Sequence, residues 1–230
     1  MASKQYKKTN HYTGIEGERY FQYQNAIGFG GASIEARKFS PFINKEDVVM
    51  DFGCGGGHLL AMLNCKKKYG VELNPSAREE AIKYGFPVFE DCSHIEKKSI
   101  DKVISNHCLE HVLCPINALM EIRDCLKPGG KIILCIPIDD WRTEKHFSKR
   151  DINHHLYTWT PQLIGNCLLE AGYQVESIRI YTHAWPPMFH IWDGLFPTWF
   201  FDILCRVTAI LFKRRQIIAI GTKSEIQTTT

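Results

Sequence analysis

Along the middle of the chain, short apolar runs alternate with longer stretches in which apolar positions recur three and four residues apart. Val48-Val49-Met50-Asp51-Phe52 is an apolar run closed by glycines, and it predicts a buried strand. A helix is predicted over 58–65, then a strand over 69–72 that ends in an acid. The next helix runs over 75–84, Pro75 suiting its first turn. A short strand at 87–89 and a fourth at 102–105 follow. The helix over 115–126 is stopped by Lys127-Pro128-Gly129-Gly130, and a strongly apolar strand follows over 131–138. Thr160-Pro161 reads as the cap and first turn of another helix, ended by Gly172, and strands over 173–181 and 216–222 complete the series. The alternation predicts an α/β chain of parallel βαβ units with right-handed crossovers. Two segments break this rhythm. Residues 1–45 are polar and aromatic, with helices predicted over 16–25 and 32–39 and Gly28, Gly30 and Gly31 between them as a turn or hinge. Residues 182–215 form an insertion dense in Trp, Phe and Pro.

Composition narrows the class. The chain has 230 residues, 44% hydrophobic and 23% charged, which suits one folded domain with a sizeable core. A net charge of +3 and short basic runs (Lys66-Lys67-Lys68 and Lys213-Arg214-Arg215) read as solvated faces, so nucleic acid is not expected as a partner. Nine cysteines, with no pair in C-x-x-C spacing, read as thiols in a reducing compartment rather than a disulfide framework. The first residues carry no apolar stretch, so the expected location is the cytoplasm.

The chemistry begins at Asp51-Phe52-Gly53-Cys54-Gly55-Gly56-Gly57, which a strand delivers and a helix follows. Glycines there let the backbone turn sharply and let a ligand approach it, and a helix N-terminus offers unpaired N–H groups. Glu72 closes the second strand about twenty residues on, where a doubly wound fold reads ribose hydroxyls. The pattern is G-x-G-x-G, with His58 where a dinucleotide site has its third glycine. Asp51 would repel a pyrophosphate and suit a cationic amino-acid moiety. The electrostatics therefore favour S-adenosylmethionine (SAM) over a nicotinamide. The plain alternative is a tight turn that binds nothing.

With these residues in view, the sequence resembles the class I SAM-dependent methyltransferases, in the branch that includes small-molecule and quinone methyltransferases. VVMDFGCGGGHLL is similar to that family's first motif, VELNPSA to its second strand with the ribose-binding acid, and DKVISNHCLEHVLCPINALMEIRDCLKPGGKIILCIP to its fourth strand, following helix and fifth strand. The resemblance covers residues 45–181. It implies a doubly wound, mostly parallel seven-stranded sheet in the order 3-2-1-4-5-7-6, last strand antiparallel, with helices on both faces. It also implies that Asp51, Gly53 and Gly55 surround the methionine part, that Glu72 binds the ribose, that Asp91 and Cys92 meet the adenine, that Asn106 and His107 face the methyl group, and that Cys54 and Leu73 also belong to the cofactor site. The domain organisation expected is an N-terminal helical lid over 1–45 and a SAM-binding domain over 46–230 that carries the insertion. The segment 153–160, NHHLYTWT, resembles methyltransferases encoded with bacterial surface-polysaccharide genes.

Methyl transfer to an alcohol benefits from a base with a pKa near neutrality, and histidine is the natural candidate. His107 lies at the carboxyl end of a strand, and His146, His154 and His155 lie in the loop after the fifth strand. His107, His154 and His155 are the candidate catalytic residues, each weighed against an ordinary satisfied or exposed histidine. His146, Asp151, His154 and His155 could together bind a divalent cation, but their spacing is not diagnostic and no metal is assigned. Tyr12, Arg19, Tyr20 and Tyr23 read as a helix closing over SAM or as one merely docked on the core. The insertion reads as a cap over the acceptor pocket, a homodimer interface, or an in-plane membrane helix over 195–215 at the inner face of the membrane. The expected activity is O-methylation of a small-molecule or glycan-precursor acceptor. A nicotinamide-dependent oxidoreductase and a non-catalytic scaffold working through the insertion are the alternatives.

Overall fold

The structure, a computed structural model, describes residues 10–138 and 147–224. After a 3₁₀ turn at Asn10–Tyr12, the elements in chain order are α1 (Gly14–Phe39), β1 (Val48–Phe52), α2 (His58–Met62), β2 (Lys67–Val71), α3 (Pro75–Ile82), β3 (Val88–Phe89), β4 (Ile100–Asn106), α4 (Pro115–Cys125), β5 (Leu126–Ile138), α5 (Pro161–Glu170), β6 (Tyr173–Tyr181), α6 (Phe189–Leu195), α7 (Thr198–Leu211) and β7 (Arg215–Lys223). Local chemistry fixes several starts. The Asn74 side chain accepts from the N–H groups of Ser76 and Ala77 ahead of Pro75, and the Thr160 hydroxyl accepts from Leu163 N–H ahead of Pro161.

The seven strands form one sheet in the order β3-β2-β1-β4-β5-β7-β6. β7 runs antiparallel to both of its neighbours, and the remaining pairs are parallel. This is the doubly wound architecture expected. The chain order reverses between β1 and β4, so the crevice beyond their carboxyl ends is where such a sheet takes a ligand. Val49, Met50, Val103, Ile104, Ile132 and Leu134 are fully or almost fully buried at the centre, with one apolar cluster on each face.

Two expectations change. The N-terminal segment is a single helix of 26 residues and not two helices with a hinge. Its glycines serve packing: a Cβ at Gly31 would overlap the Trp185 ring, and one at Gly28 would press on His58. The insertion contains two helices, not one. A third cluster of Ile34, Phe201 and Cys205, covered by Trp185, Phe189 and Trp192, joins it to α1. All nine cysteines are free thiols.

Candidate functional site

Each of the first two strands ends in a carboxylate beside the glycine turn. Asp51 is buried and its Oδ1 has no hydrogen-bond partner. Burial, helped by the nearby Glu72 carboxylate, pushes its pKa up to about 8. Glu72, just past β2, accepts from Gly55 N–H on Oε2 and from Asn74 N–H on Oε1, each at 2.8 Å. Its pKa is raised by burial, which those two bonds only partly offset. Arg78 holds the turn by donating to the carbonyls of Glu72 and Leu73 at 2.8 and 2.7 Å.

Glycine is required in this turn for separate reasons. Gly53 has φ +79, and a Cβ there would overlap Cys108 Sγ; Gly55 has φ +53 and faces open space. The loop is then pinned to α1. His58 Nε2 lies 2.7 Å from Asn25 Oδ1 and His58 Nδ1 lies 2.8 Å from the Tyr84 hydroxyl, so one imidazole ties α1, α2 and the end of α3 together. Asn74 Nδ2 donates to Gly17 O at 2.7 Å and makes a second tie.

A cavity of about 1730 Å³ opens over the carboxyl ends of the strands. It runs from the two carboxylates past Asn106 and His107 to the insertion, where Trp185 and Phe189 line it. That exceeds the space of one small ligand and leaves room for a cofactor and an acceptor together. Asp51, Gly53, Cys54, Gly55, Glu72, Leu73, Asp91, Cys92, Asn106, His107 and His155 all line it. Within that set Asp91 is already engaged, its Oδ1 accepting from the Ser93 amide and hydroxyl. Asn106 donates from Nδ2 to Glu35 Oε2 at 2.9 Å, while its buried Oδ1 has no hydrogen-bond partner.

The turn after β4 carries the densest electrostatics. His107 sits at φ +50 with Nδ1 3.5 Å from Glu110 Oε1. Burial lowers its pKa, but the Cys135 thiol and the Glu110 carboxylate outweigh this and push it up to about 10. The Glu110 carboxylate beside it favours the protonated ring, which suits His107 to stabilising charge. Glu110 is fully buried; burial raises its pKa, but His107 and His111 hold it below the usual carboxylate range. Its two carboxylate oxygens have no hydrogen-bond partner. His111 is neutral, with burial pulling its pKa down to about 4. Its Nδ1 lies 2.6 Å from the Tyr12 hydroxyl, which in turn donates to Asn153 O at 2.8 Å.

Among the described residues, the members of the cluster expected after β5 are not brought together. His146 lies outside the described residues. The Asp151 carboxylate accepts from the amides of Asn153 and His154 at 3.1 Å each. His154 takes φ +51, is exposed, and stacks on His11 with ring centroids 4.4 Å apart. It is not among the residues that line the cavity. His155 alone of the three described residues reaches the cavity, packing edge-on against His111. Donor atoms of Glu110, His111 and His155 lie within 4.8 Å of one another, a set able to hold a divalent cation. Sequence reading passed over Glu110 and the α1 partners Asn25 and Glu35. Only the H-x-x-E-H spacing after β4 signalled Glu110, and nothing local signalled the other two.

A family model for a methyltransferase domain matches residues 32–178. A tRNA U34 carboxymethyltransferase of Shewanella amazonensis is 36% identical over 108 residues, 41% of this chain and 32% of that protein. A ubiquinone biosynthesis O-methyltransferase of Dinoroseobacter shibae is 31% identical over 128 residues, half of each chain. The matched part of the chain thus spans from about a third to half of the length of these curated relatives. Among solved structures, the partner of the Trm112 methyltransferase activator from Haloferax volcanii superposes with a TM-score of 0.64 at 18% identity, over 90% of this chain and 95% of that one.

Proposed function

The chain belongs to the methyltransferase-domain family and its cofactor is SAM, and we propose that it methylates a hydroxyl of a small, amphipathic acceptor, a glycan precursor being the expected kind. The family answers the choice between SAM and a nicotinamide in favour of SAM. Bound SAM supplies a methyl group already activated by a sulfonium. The residues fit it. A buried, unpartnered Asp51 oxygen suits a cationic amino group, and Glu72 retains lone pairs for ribose hydroxyls. At Gly55 a Cβ would fill open space that a ligand can use. α1 is proposed as a lid, since Tyr20 and Asn25 from it line the same cavity.

The observation that carries the hydroxyl reading is the group of imidazoles around buried Glu110 on the cavity wall. In this reading His155 takes the acceptor's proton and cationic His107 stabilises charge beside it. The ring pair Trp185 and Phe189, 4.6 Å apart, forms an aromatic wall on which the apolar face of a sugar or ring can rest. The relative named for tRNA raises a nucleic-acid acceptor as the competitor, and the near-balanced charge of this chain speaks for the small molecule.

The test joins calorimetry with transfer of labelled methyl from SAM into fractionated pools of glycan precursors and tRNA. Glu72→Ala is expected to weaken SAM binding about ten-fold or more. His155→Ala is expected to cut turnover by about 10²-fold or more with SAM affinity unchanged. Label entering tRNA, or full turnover by His155→Ala, would overturn the hydroxyl reading.

A further inference from the structure

Most helices of this fold bury one face and offer water the other; α7 offers water an apolar one. Its inward face, Phe201, Cys205, Thr208 and Ala209, is buried, with Phe201 and Cys205 packed on Ile34 of α1. On the outward face Trp199, Ile203, Val207 and Ile210 follow at spacings of four, four and three, with Leu211 beside them. These five are between 46% and 73% exposed. Leu195, at the end of α6, is 66% exposed. A contiguous apolar face of this kind is a docking surface rather than ordinary scatter.

Charge identifies the occupant. The insertion's two acids, Asp193 and Asp202, lie 2.6 and 4.0 Å from Arg37 of α1. Its cations Arg206 and Lys213 are exposed, on the flank of the apolar face and at its end, while Arg214 and Arg215 beyond them line the cavity. No helix among the described residues is long and apolar enough to cross a membrane. An apolar stripe edged and ended by cations suits a helix lying in the plane of an anionic bilayer, apolar side chains among the acyl chains and cations at the headgroups. We infer that the outer face of α7 docks this protein on an anionic lipid surface. The same insertion lines the cavity with Trp185, Phe189 and Phe212, so docking sets that end of the cavity beside the bilayer. The inference stands on this face and not on the acceptor assigned above.

The test is co-sedimentation with vesicles of phosphatidylcholine alone and of phosphatidylcholine mixed with phosphatidylglycerol. The protein is expected to bind the mixed vesicles, more weakly as salt rises. Arg206→Gln and Lys213→Gln should each lower affinity about five-fold, and Ile203→Glu should abolish binding. Far-UV circular dichroism establishes that each variant folds, and SAM calorimetry tests the cofactor reading separately. Failure of the folded protein to bind mixed vesicles would overturn the inference, as would unchanged binding by Ile203→Glu. A concentration-dependent dimer dissolved by Ile203→Glu would overturn it too, making the face a contact between copies.

Discussion

At the scale of single residues, Asp51 couples ligand binding to a proton. In the unliganded protein its carboxyl is buried without a partner on Oδ1 and titrates at about 8, so at pH 7 it is mostly protonated. A cationic amino group placed beside it favours the carboxylate. Binding below pH 8 therefore expels a proton, and SAM affinity should rise with pH up to about 8 and level off above it. The limiting slope is about ten-fold per pH unit. Calorimetry in buffers of different ionisation enthalpy reads the proton directly. Asp51→Asn should bind SAM more weakly at pH 8, with no buffer dependence from this site. A wild-type enthalpy that is the same in every buffer would remove Asp51 from the cation's contact. The carboxylate position was legible in the sequence because it closes an apolar run before a glycine turn. Its protonation was not, since that depends on burial and on Glu72, which a fold must first bring alongside.

At the scale of elements, α1 shows how a glycine can mislead. Gly28, Gly30 and Gly31 read as a break because glycine weakens a helix by about 1 kcal/mol relative to alanine. The helix nevertheless runs through them, and at Gly28 and Gly31 a neighbour occupies the space that a side chain would take. A Cβ at Gly31 would overlap Trp185, whereas one at Gly30 would meet Phe189 at 3.4 Å, an ordinary contact. Gly30→Ala is therefore expected to stabilise the protein by up to about 1 kcal/mol. Gly31→Ala should destabilise it by about 1–3 kcal/mol through overpacking against Trp185. Urea unfolding of the two variants separates packing from a hinge, since a hinge would make both substitutions behave alike. The sheet itself was readable. Its central strands β1, β4, β5 and β7 are largely buried and show as apolar runs, and Pro75 and the Thr160 cap mark helix starts within one turn. What could not be read is partnership across 33 or more positions, such as Asn25 with His58 or Glu35 with Asn106, because no local pattern encodes which helix face meets which loop.

At the scale of the whole molecule, the insertion, α1 and the sheet meet at His183. Its imidazole is buried, Nδ1 has no hydrogen-bond partner, and its backbone carbonyl accepts from Gln216 Nε2 at 3.2 Å, so it is held against β7. Lys38 of α1 stands nearby, bound to Glu35 and to Gln216 Oε1. Burial first, and then the charge of Lys38, pull the His183 pKa down to about 4. In the unfolded chain the same ring titrates near 6.5. Below that pH the unfolded state takes up a proton that the folded state refuses, so the contribution of His183 to stability is whole above 6.5 and is lost as pH falls toward 4. Replacing it by Gln leaves a neutral amide and removes this loss. The wild type should therefore lose stability relative to His183→Gln between pH 6.5 and 4, by on the order of 1–3 kcal/mol. The two should run parallel between pH 7 and 8. Unfolding curves at a series of pH values measure the difference, and parallel lines down to pH 4 would mean that the ring reaches solvent or a carboxylate. Because His183 opens the insertion and ties it to β7 through Gln216, its protonation should first loosen α6 and α7, which rest on α1 through the Ile34, Phe201 and Cys205 cluster, and leave the sheet intact. Tryptophan fluorescence would report that step, since Trp185, Trp192 and Trp199 all lie in the insertion. A fluorescence change that precedes the loss of far-UV ellipticity on acidification is the expected sign that the insertion detaches as a unit.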